Sequence, residues 1–456
     1  AMGFTTTVLR HGEPSIMLIV IDDDPTGTQS VSDLPVLTRW TRDDLEWAAA
    51  DSPAVYLQTN SRSLSEQDAA AITHDAAAAA LALFGDTTTL ISRSDSTLRG
   101  HFLAETDALI AASNAAGTSV DAIVLAPAFP QAGRVTVDGV HYLENNGHRT
   151  PVAQSEFAAD LTFGYQNSDL RDWVVEKSAG RYTAANIAVL ERNSTSVAAV
   201  EELLTQNPAV QVIIVDAESD AHLFEAASAL LAAEQNGRKF VYRVGPPFVR
   251  AMLGRPSPAP VDASDFGDDA DDAGLGGLIV VGSHVDVTAR QLSTLCERHP
   301  DLPVIELDVD SLSAGSSNAV DVTATALQQA LESGDAILQT TRALRRADSP
   351  EESLELARRV SMAVSGTVKQ ALNGVRPRFV IAKGGITSSD VATHGLDVTR
   401  ATIVGPVLPG IVALWRIESG PLAGTRYVVF PGNVGDSNAL DEVYQRLSAS
   451  TTGAAK

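Results

Sequence analysis

The stretch Ile21-Asp22-Asp23-Asp24-Pro25-Thr26-Gly27-Thr28 sets three successive carboxylates directly behind the apolar run Met17-Leu18-Ile19-Val20. Carboxylates crowded into a partly desolvated place repel and raise one another's pKa, so they persist only where cations or proton donors meet them. Three further segments carry such groups: Asn60-Ser61-Arg62-Ser63, the run Arg93-Ser94-Asp95-Ser96-Thr97-Leu98-Arg99-Gly100, and Pro127 through Arg134. A carboxylate can orient or deprotonate a hydroxyl, and a guanidinium grips a carboxylate through two parallel bonds. If the four segments converge, Asp22, Asp23, Asp24, Arg62, Arg93, Asp95, Ser96, Thr97, Arg99 and Arg134 form a mixed-charge basin suited to a small polyhydroxylated acid. Taken singly, each has a plainer reading: Asp-Ser-Thr before a helix is an N-cap, and Asp24-Pro25-Thr26-Gly27 is a turn sequence.

A second set of segments is rich in glycine and poor in charge. It comprises Gly282-Ser283-His284, Lys383-Gly384-Gly385-Ile386-Thr387-Ser388-Ser389-Asp390, Gly405-Pro406-Val407-Leu408-Pro409-Gly410 and Pro431-Gly432-Asn433-Val434-Gly435-Asp436. Glycine lets backbone N–H groups approach a phosphate chain, and a following helix offers its positive end, so these loops point to a nucleotide. Neither GxxxxGK[ST] nor GxGxxG after a first strand is present, which excludes an ordinary P-loop and a standard dinucleotide fingerprint.

The elements that position these loops follow from periodicity. Short β-rich apolar runs alternate with Ala- and Leu-rich stretches of helical length, the pattern of parallel βα units. Strands are predicted at 17–21, 54–59, 88–92, 122–126, 210–216 and 239–244, then at 278–282, 304–308, 336–340, 379–382 and 427–430. Helices are predicted at 66–83, 221–234, 288–298 and 351–372. Nearly every polar loop named above follows a strand, on the carboxyl edge where open parallel sheets bind ligands. Pro256-Ser257-Pro258-Ala259-Pro260 and the acidic run DASDFGDDADDAGLGG read as a linker rather than a calcium loop, since the acidic spacing does not match an EF-hand. The expected fold class is therefore α/β. Two domains, 14–250 and 277–448, are each built on a mostly parallel sheet flanked by helices, with a linker at 251–276 and the active site in the cleft between them.

The 456 residues are 44% hydrophobic and carry a formal charge of −24, which suits a globular protein with a core in each domain and argues against nucleic-acid binding. No apolar run reaches membrane-spanning length and no basic-then-apolar leader is seen, so neither membrane insertion nor secretion is expected. A single cysteine, Cys296, excludes an intramolecular disulfide and suits a cytoplasmic location.

Taken in order, these motifs resemble the four-carbon acid sugar kinases, which phosphorylate threonate, erythronate and 3-oxo-tetronate class acids. The matching residues are Asp23-Asp24-Pro25-Thr26-Gly27, Thr59-Asn60-Ser61-Arg62, Asp95 to Gly100, Pro127-Ala128-Phe129-Pro130, Gly133-Arg134 and Gly139-Val140-His141-Tyr142, followed by Gly282-Ser283, Gly384 to Thr387 and Gly432 to Gly435. The resemblance implies an amino-terminal substrate domain and a carboxyl-terminal ATP domain. Asp23, Asp24, Arg62, Arg93, Ser94, Asp95, Ser96, Thr97 and Arg99 would meet the sugar acid. Ser283, Lys383, Gly384, Gly385, Ile386, Thr387, Gly432, Asn433 and Gly435 would meet ATP, with Mg²⁺ held by phosphate and water rather than by a named protein ligand. Asp24 is the expected catalytic carboxylate, Asp95 the next candidate, and Asp22 the position expected to tolerate Asn or Ala. Two departures stand out: many relatives have Lys where Arg93-Ser94 stands, and Thr-Gly-Gly-Asp-Thr where this chain has Lys383-Gly384-Gly385-Ile386-Thr387. Competing readings are a ribokinase-like enzyme with Asp436 as base, and a sugar-acid sensor without turnover. A homodimer is left open, as is the choice between a structural and a substrate-contacting role for His141.

Overall fold

The computed structural model describes residues 16–145, 147–261, 274–282, 285–309, 318–341 and 350–449. Among the described residues eleven strands precede the linker region: β1 Met17–Asp22, β2 Leu34–Leu37, β3 Ala54–Gln58, β4 Thr88–Arg93, β5 Ala122–Ala126, β6 Arg134–Val137, β7 Val140–Asn145, β8 His148–Pro151, β9 Ile187–Leu190, β10 Val212–Val215 and β11 Phe240–Val244. Seven follow it: β12 Leu278–Val281, β13 Val304–Leu307, β14 Ala336–Thr340, β15 Phe379–Lys383, β16 Arg400–Leu408, β17 Val412–Ile417 and β18 Arg426–Phe430. The chain is α/β, with two families of parallel strands flanked by helices. Strands covered on both faces are apolar throughout, as the fully buried β5 and β10 show.

The two families do not form separate sheets. A single sheet runs β13-β14-β12-β15-β18-β17-β16-β2-β3-β1-β4-β11-β5-β10-β9, and a small antiparallel sheet, β6-β7-β8, stands apart. Three antiparallel pairings, β18–β17, β17–β16 and β16–β2, join the parallel blocks, so the blocks run in opposite directions. The join is firm: Arg400 to Ile403 pair with Leu37 to Leu34, and Arg400 Nε donates to buried Asp44 at 2.7 Å. One apolar cluster spans both halves, taking in Leu18 and Val20, Ile403 and Trp415, and Val280 and Val380, while further clusters lie within a single half, such as that of Ile279, Leu295 and Phe430 and that of Ile19, Leu57 and Leu109.

β16 and β17 correct a second expectation. The segment 405–410 is no glycine loop on a ligand edge: Gly405 to Leu408 lie within β16. β2 pairs with β16 only as far as Ile403, so one edge is open beyond it, and there Pro406 costs no ladder bond. The Pro406 carbonyl accepts from Val261 N at 2.8 Å, which ties the described end of the linker to the sheet. The acidic stretch 262–273 lies outside the described residues.

The predicted helices are present, as Glu66–Phe84, Asp220–Gln235, Asp286–Arg298 and Pro350–Leu372. Ser65 and Ser219 cap the first two by accepting from Asp68 N and His222 N. Among the described residues no helix is long and apolar enough to cross a membrane.

Candidate active site

Alternation along β1 decides where the three aspartates go. Asp22 is the last residue of a strand covered on both faces, on the side of Leu18 and Val20, and is buried; Asp23 is buried after it and Asp24 emerges partly, with 15% of its side chain exposed. Arg93, the last residue of the neighbouring β4, is paired with Asp22 in the ladder. Its guanidinium contacts the Asp22 carboxylate and the Asp24 carbonyl, and it lies 3.2 Å from Asp23. Arg62 comes from the loop after β3. Its Nε and Nη2 fork onto Asp23 at 3.1 and 2.7 Å, while Nη1 donates to Asp24 Oδ2 at 3.1 Å.

These partners sort the carboxylates. Burial pushes Asp22 up to about 8 in spite of Arg93, aided by the neighbouring Asp23 and Asp24 charges. Burial also raises Asp23 above the usual range. For Asp24 the same burial is outweighed by Arg62, Arg93 and the Thr26 N–H, which donates to Oδ1 at 2.8 Å, so its carboxyl stays below the usual range. Asp24 is thus the ionised and solvent-facing member of the three. Asp22 is not the spare position expected from sequence: it is fully buried and bonded to Arg93.

Arg93 also departs from its expected role. It is 2% exposed and lies beneath the basin, where Gly27 passes so close that a Cβ there would come within 2.0 Å of the Arg93 guanidinium carbon. Its work is to neutralise the aspartates rather than to face a ligand.

The loop after β4 forms the next wall. Asp95 accepts from Arg99 Nε at 2.6 Å and from the Thr97 hydroxyl; these bonds and the Arg62 charge outweigh burial and hold it well below the usual carboxylate range. Arg99 also lies over the Phe157 ring at 5.1 Å. Ser94, Ser96 and Thr97 are buried, and their backbone is used structurally: Ser94 N donates to Val244 O at 2.8 Å, and the Thr97 carbonyl accepts from Tyr165 Oη at 2.8 Å. His141 Nε2 donates to the Ser96 carbonyl at 2.8 Å, which leaves Nδ1 to accept from the Thr136 hydroxyl at 2.9 Å. Burial lowers its pKa to about 4, so His141 is a neutral structural support.

A second layer went unread in the sequence. Glu105 accepts from Ser61 Oγ at 2.6 Å, from Ser92 Oγ at 2.9 Å and from buried Arg243. Arg243 also reaches Gly100, whose φ of +110° and proximity to Asp23 Oδ2 (3.1 Å from a notional Cβ) leave no room for a side chain. The available signal was Arg243 itself, since a charge inside the apolar strand Phe240–Val244 demands a buried partner.

The glycine-rich side meets the aspartates directly. The 3₁₀ turn Pro25–Ser30, capped by Asp24, packs across β16, β17 and β18, and Trp415 Nε1 donates to Thr28 Oγ1 at 2.9 Å. This carries Asp24 to the start of the helix Gly385–Asp390, where a Cβ on Gly385 would lie 2.9 Å from Asp24 Oδ2. Gly384 caps that helix without a side-chain bond, Ile386 is 52% exposed, and a Cβ on Gly282 would fall 2.3 Å from Thr387 Oγ1. The glycine-lined helix start, with the Asp24 carboxylate and the Thr387 side chain close beside it, is a candidate cradle for a phosphate chain.

One expectation changes here. Lys383 is fully buried, donates from Nζ to the Pro431 carbonyl at 2.7 Å and sits 3.8 Å from the centre of the Phe430 ring; burial lowers it to about 7. It ties the loop after β15 to the loop after β18 instead of reaching into the cleft. Asp436 caps Asn438 N at 2.9 Å, the plain role weighed against catalysis. Ser283 lies outside the described residues. Gly432 accepts at its carbonyl from Thr288 Oγ1 at 2.9 Å, and Asn433 and Gly435 are exposed on the same loop. Among the described residues no group of three His, Cys, Asp or Glu could hold a metal ion.

Comparison with known proteins agrees with this division. A family model described as a sugar-binding N-terminal domain matches residues 18–252, and one described as a nucleotide-binding C-terminal domain matches residues 278–440. Comparison with curated proteins returns no match. A Salmonella typhimurium LT2 protein, provisionally called a tRNA synthase, has a similar fold, with TM-score 0.66, 21% identity and coverage of 94% of this chain and 98% of its own. A Haemophilus influenzae protein of the DUF1537 family follows, with TM-score 0.60, 18% identity and coverage of 94% and 100%. A Bordetella bronchiseptica DUF1537 protein, crystallised as a domain-swapped dimer with bound citrate, is 21% identical over 94% of this chain and 98% of its own, with TM-score 0.41. With a sugar-binding half matched over residues 18–252 and a nucleotide-binding half over 278–440, the chain belongs to the DUF1537, or four-carbon acid sugar kinase, family.

Proposed function

We propose that the protein transfers the terminal phosphoryl group of ATP to a hydroxyl of a short sugar acid of the threonate, erythronate or 3-oxo-tetronate class. The observation that carries this reading is the approach of Asp24, an ionised carboxylate of the sugar-binding half, to Gly385 in the nucleotide-binding half. In the reaction the sugar oxygen bonds to the γ-phosphorus, the bond to the β,γ-bridging oxygen breaks, and the hydroxyl proton passes to Asp24. A carboxylate held below its usual pKa is a weak base. That suffices, because in a loose phosphoryl-transfer transition state the alcohol loses its proton late and positioning matters most. Arg62 holds Asp24 in place, while Asp95, Arg99 and the hydroxyl-bearing loop between them face the rest of the substrate. The backbone of Gly384 to Thr387 is suited to the phosphates, and a Mg²⁺ ion arriving with the nucleotide would supply charge neutralisation there.

The test is ADP release with each acid, for wild type and Asp24→Asn. The expected loss in kcat is about 10²- to 10⁴-fold, with a melting temperature lowered modestly by loss of the Arg62 pairing while the fold persists. A mutant that retains full kcat would falsify the role of Asp24, and if Asp436→Asn is then the inactive variant, the base lies in the other loop.

A further inference from the structure

Arg134 is the basin's one arginine left without an ion pair among the described residues. Arg62 and Arg93 are committed to Asp22, Asp23 and Asp24, and Arg99 to Asp95. Arg134 donates from Nη1 to the Ala132 carbonyl at 2.5 Å, and its Nε is buried with no hydrogen-bond partner. Burial lowers its pKa, opposed by the nearby Asp95 and helped by Arg99, so a desolvated guanidinium stands beside the Asp95–Arg99 pair without an anion in bonding range.

Its position follows from strand alternation. Arg134 and Thr136 lie two residues apart on β6 and so share a face. Thr136 bonds His141, its cross-strand partner on β7, and His141 bonds the Ser96 carbonyl. That face of the hairpin therefore abuts the Asp95–Arg99 loop, with Arg134 at the end nearer the carboxyl edge of β5. A Phe129–Arg134 backbone bridge, with Phe129 N donating to Arg134 O at 2.8 Å and Arg134 N to Phe129 O at 3.0 Å, fixes it there.

We infer that Arg134 is the specificity-determining residue that receives the substrate's carboxylate, with Arg99 beside it, while the far hydroxyl end of the same molecule points to Asp24. A buried guanidinium donor without a partner costs free energy until an anion arrives, and a carboxylate supplies two acceptors in the matching plane. The substrate is then selected as an acid at one wall and phosphorylated at the other. This assignment deepens the kinase reading and rests on it for the direction of the substrate, but the anchoring itself is a binding property.

The experiment is calorimetric titration, without nucleotide, of threonate and erythronate and of their uncharged amides into wild type, Arg134→Lys and Arg134→Gln. Wild type is expected to prefer acid over amide, and Arg134→Gln to lose roughly 10- to 100-fold in acid affinity, with the acid-to-amide ratio collapsing. Arg134→Lys, which keeps the charge but not the fork, is expected to fall between them. Equal weakening for acid and amide, or a wild type that binds none of these acids, overturns the assignment. ADP release is measured separately, so absence of turnover with acid preference intact counts against the kinase reading and not against the anchor.

Discussion

The two halves of the site solve opposite problems. Around β1 and β4 charge is dense, buried and largely paired before a ligand arrives: Asp22, Asp23 and Asp24 share two arginines and Asp95 a third, with Arg134 the basin arginine left unpaired among the described residues. Around β15 and β18 charge is nearly absent. Gly384, Gly385 and Gly432 present backbone, and Lys383, the cation at that edge, is turned inward on Phe430. A sugar acid varies in stereochemistry and must be read by side chains, whereas a phosphate chain is the same in every nucleotide and can be read by main-chain N–H groups. The difference implies that substitutions in the first half act through stability as well as binding, and that those in the second act through backbone placement.

The sharpest break of this contrast is Arg93→Met. It removes the cation that pairs with Asp22 and Asp23 without opening a large hole, and it leaves buried Asp22 without the arginine that meets it while Arg62 stays with Asp23 and Asp24. Breaking a buried pair in this way costs up to about 3–5 kcal/mol, with Asp22, already pushed up to about 8, taking up a proton in response, and the loss is read as a lower urea midpoint. A change below about 1 kcal/mol would mean that the aspartates are held by something other than ion pairing. No substitution of comparable cost is expected on the glycine-rich side.

How much of this was legible depends on what each residue's neighbours reveal. Ala122–Ala126 and Ala336–Thr340 were bounded from sequence because strands covered on both faces read as unbroken apolar runs ending in polar loops. The convergence of the first three polar loops followed from that, since parallel strands place their carboxyl ends on one edge. The β16–β17 hairpin was not legible, because Gly405-Pro406 reads as a turn and only the short reach of β2 makes it tolerable in a strand. The depth of Arg93 and Lys383 was hidden for a related reason: each ends a strand, where one residue's shift decides between cleft and core. Asp22 could have been read inward by its alternation with Leu18 and Val20, a clue outweighed by its charge.

Gly385→Ala is the next largest effect and falls on the boundary between the regions. The added Cβ would lie 2.9 Å from Asp24 Oδ2, so either the carboxylate or the helix start must move. Because Arg62 and Thr26 hold Asp24, the helix is expected to yield, displacing the phosphate cradle from the acceptor hydroxyl. Misplacement on the scale of 1 Å costs on the order of 100-fold in turnover. Steady-state kinetics should show this loss with melting within a few degrees of wild type. Unaltered kinetics would mean that the two halves do not meet productively at this contact.

Lys383→Met is the smallest change and tests the other side of the contrast. Burial lowers the ammonium from 10.5 to about 7, so between those values the native state binds fewer protons than the unfolded chain. Its contribution to stability therefore rises with pH across that window, and below about pH 7 the fold carries the cost of a charged amine in a desolvated place, only partly offset by the Phe430 ring. Methionine fills a similar volume and removes that cost, but it strips the Pro431 carbonyl of a donor worth about 1 kcal/mol, so the net change is small. The melting difference, mutant minus wild type, should be most favourable to the mutant near pH 6 and decline toward pH 10. Since the amine does not reach the cleft, the KM for ATP should rise only a few-fold, through loosening of the Pro431–Gly435 loop. A tenfold or greater loss of ATP affinity would show that the amine turns outward to the phosphates, and the glycine-rich side would then rely on charge as the aspartate side does.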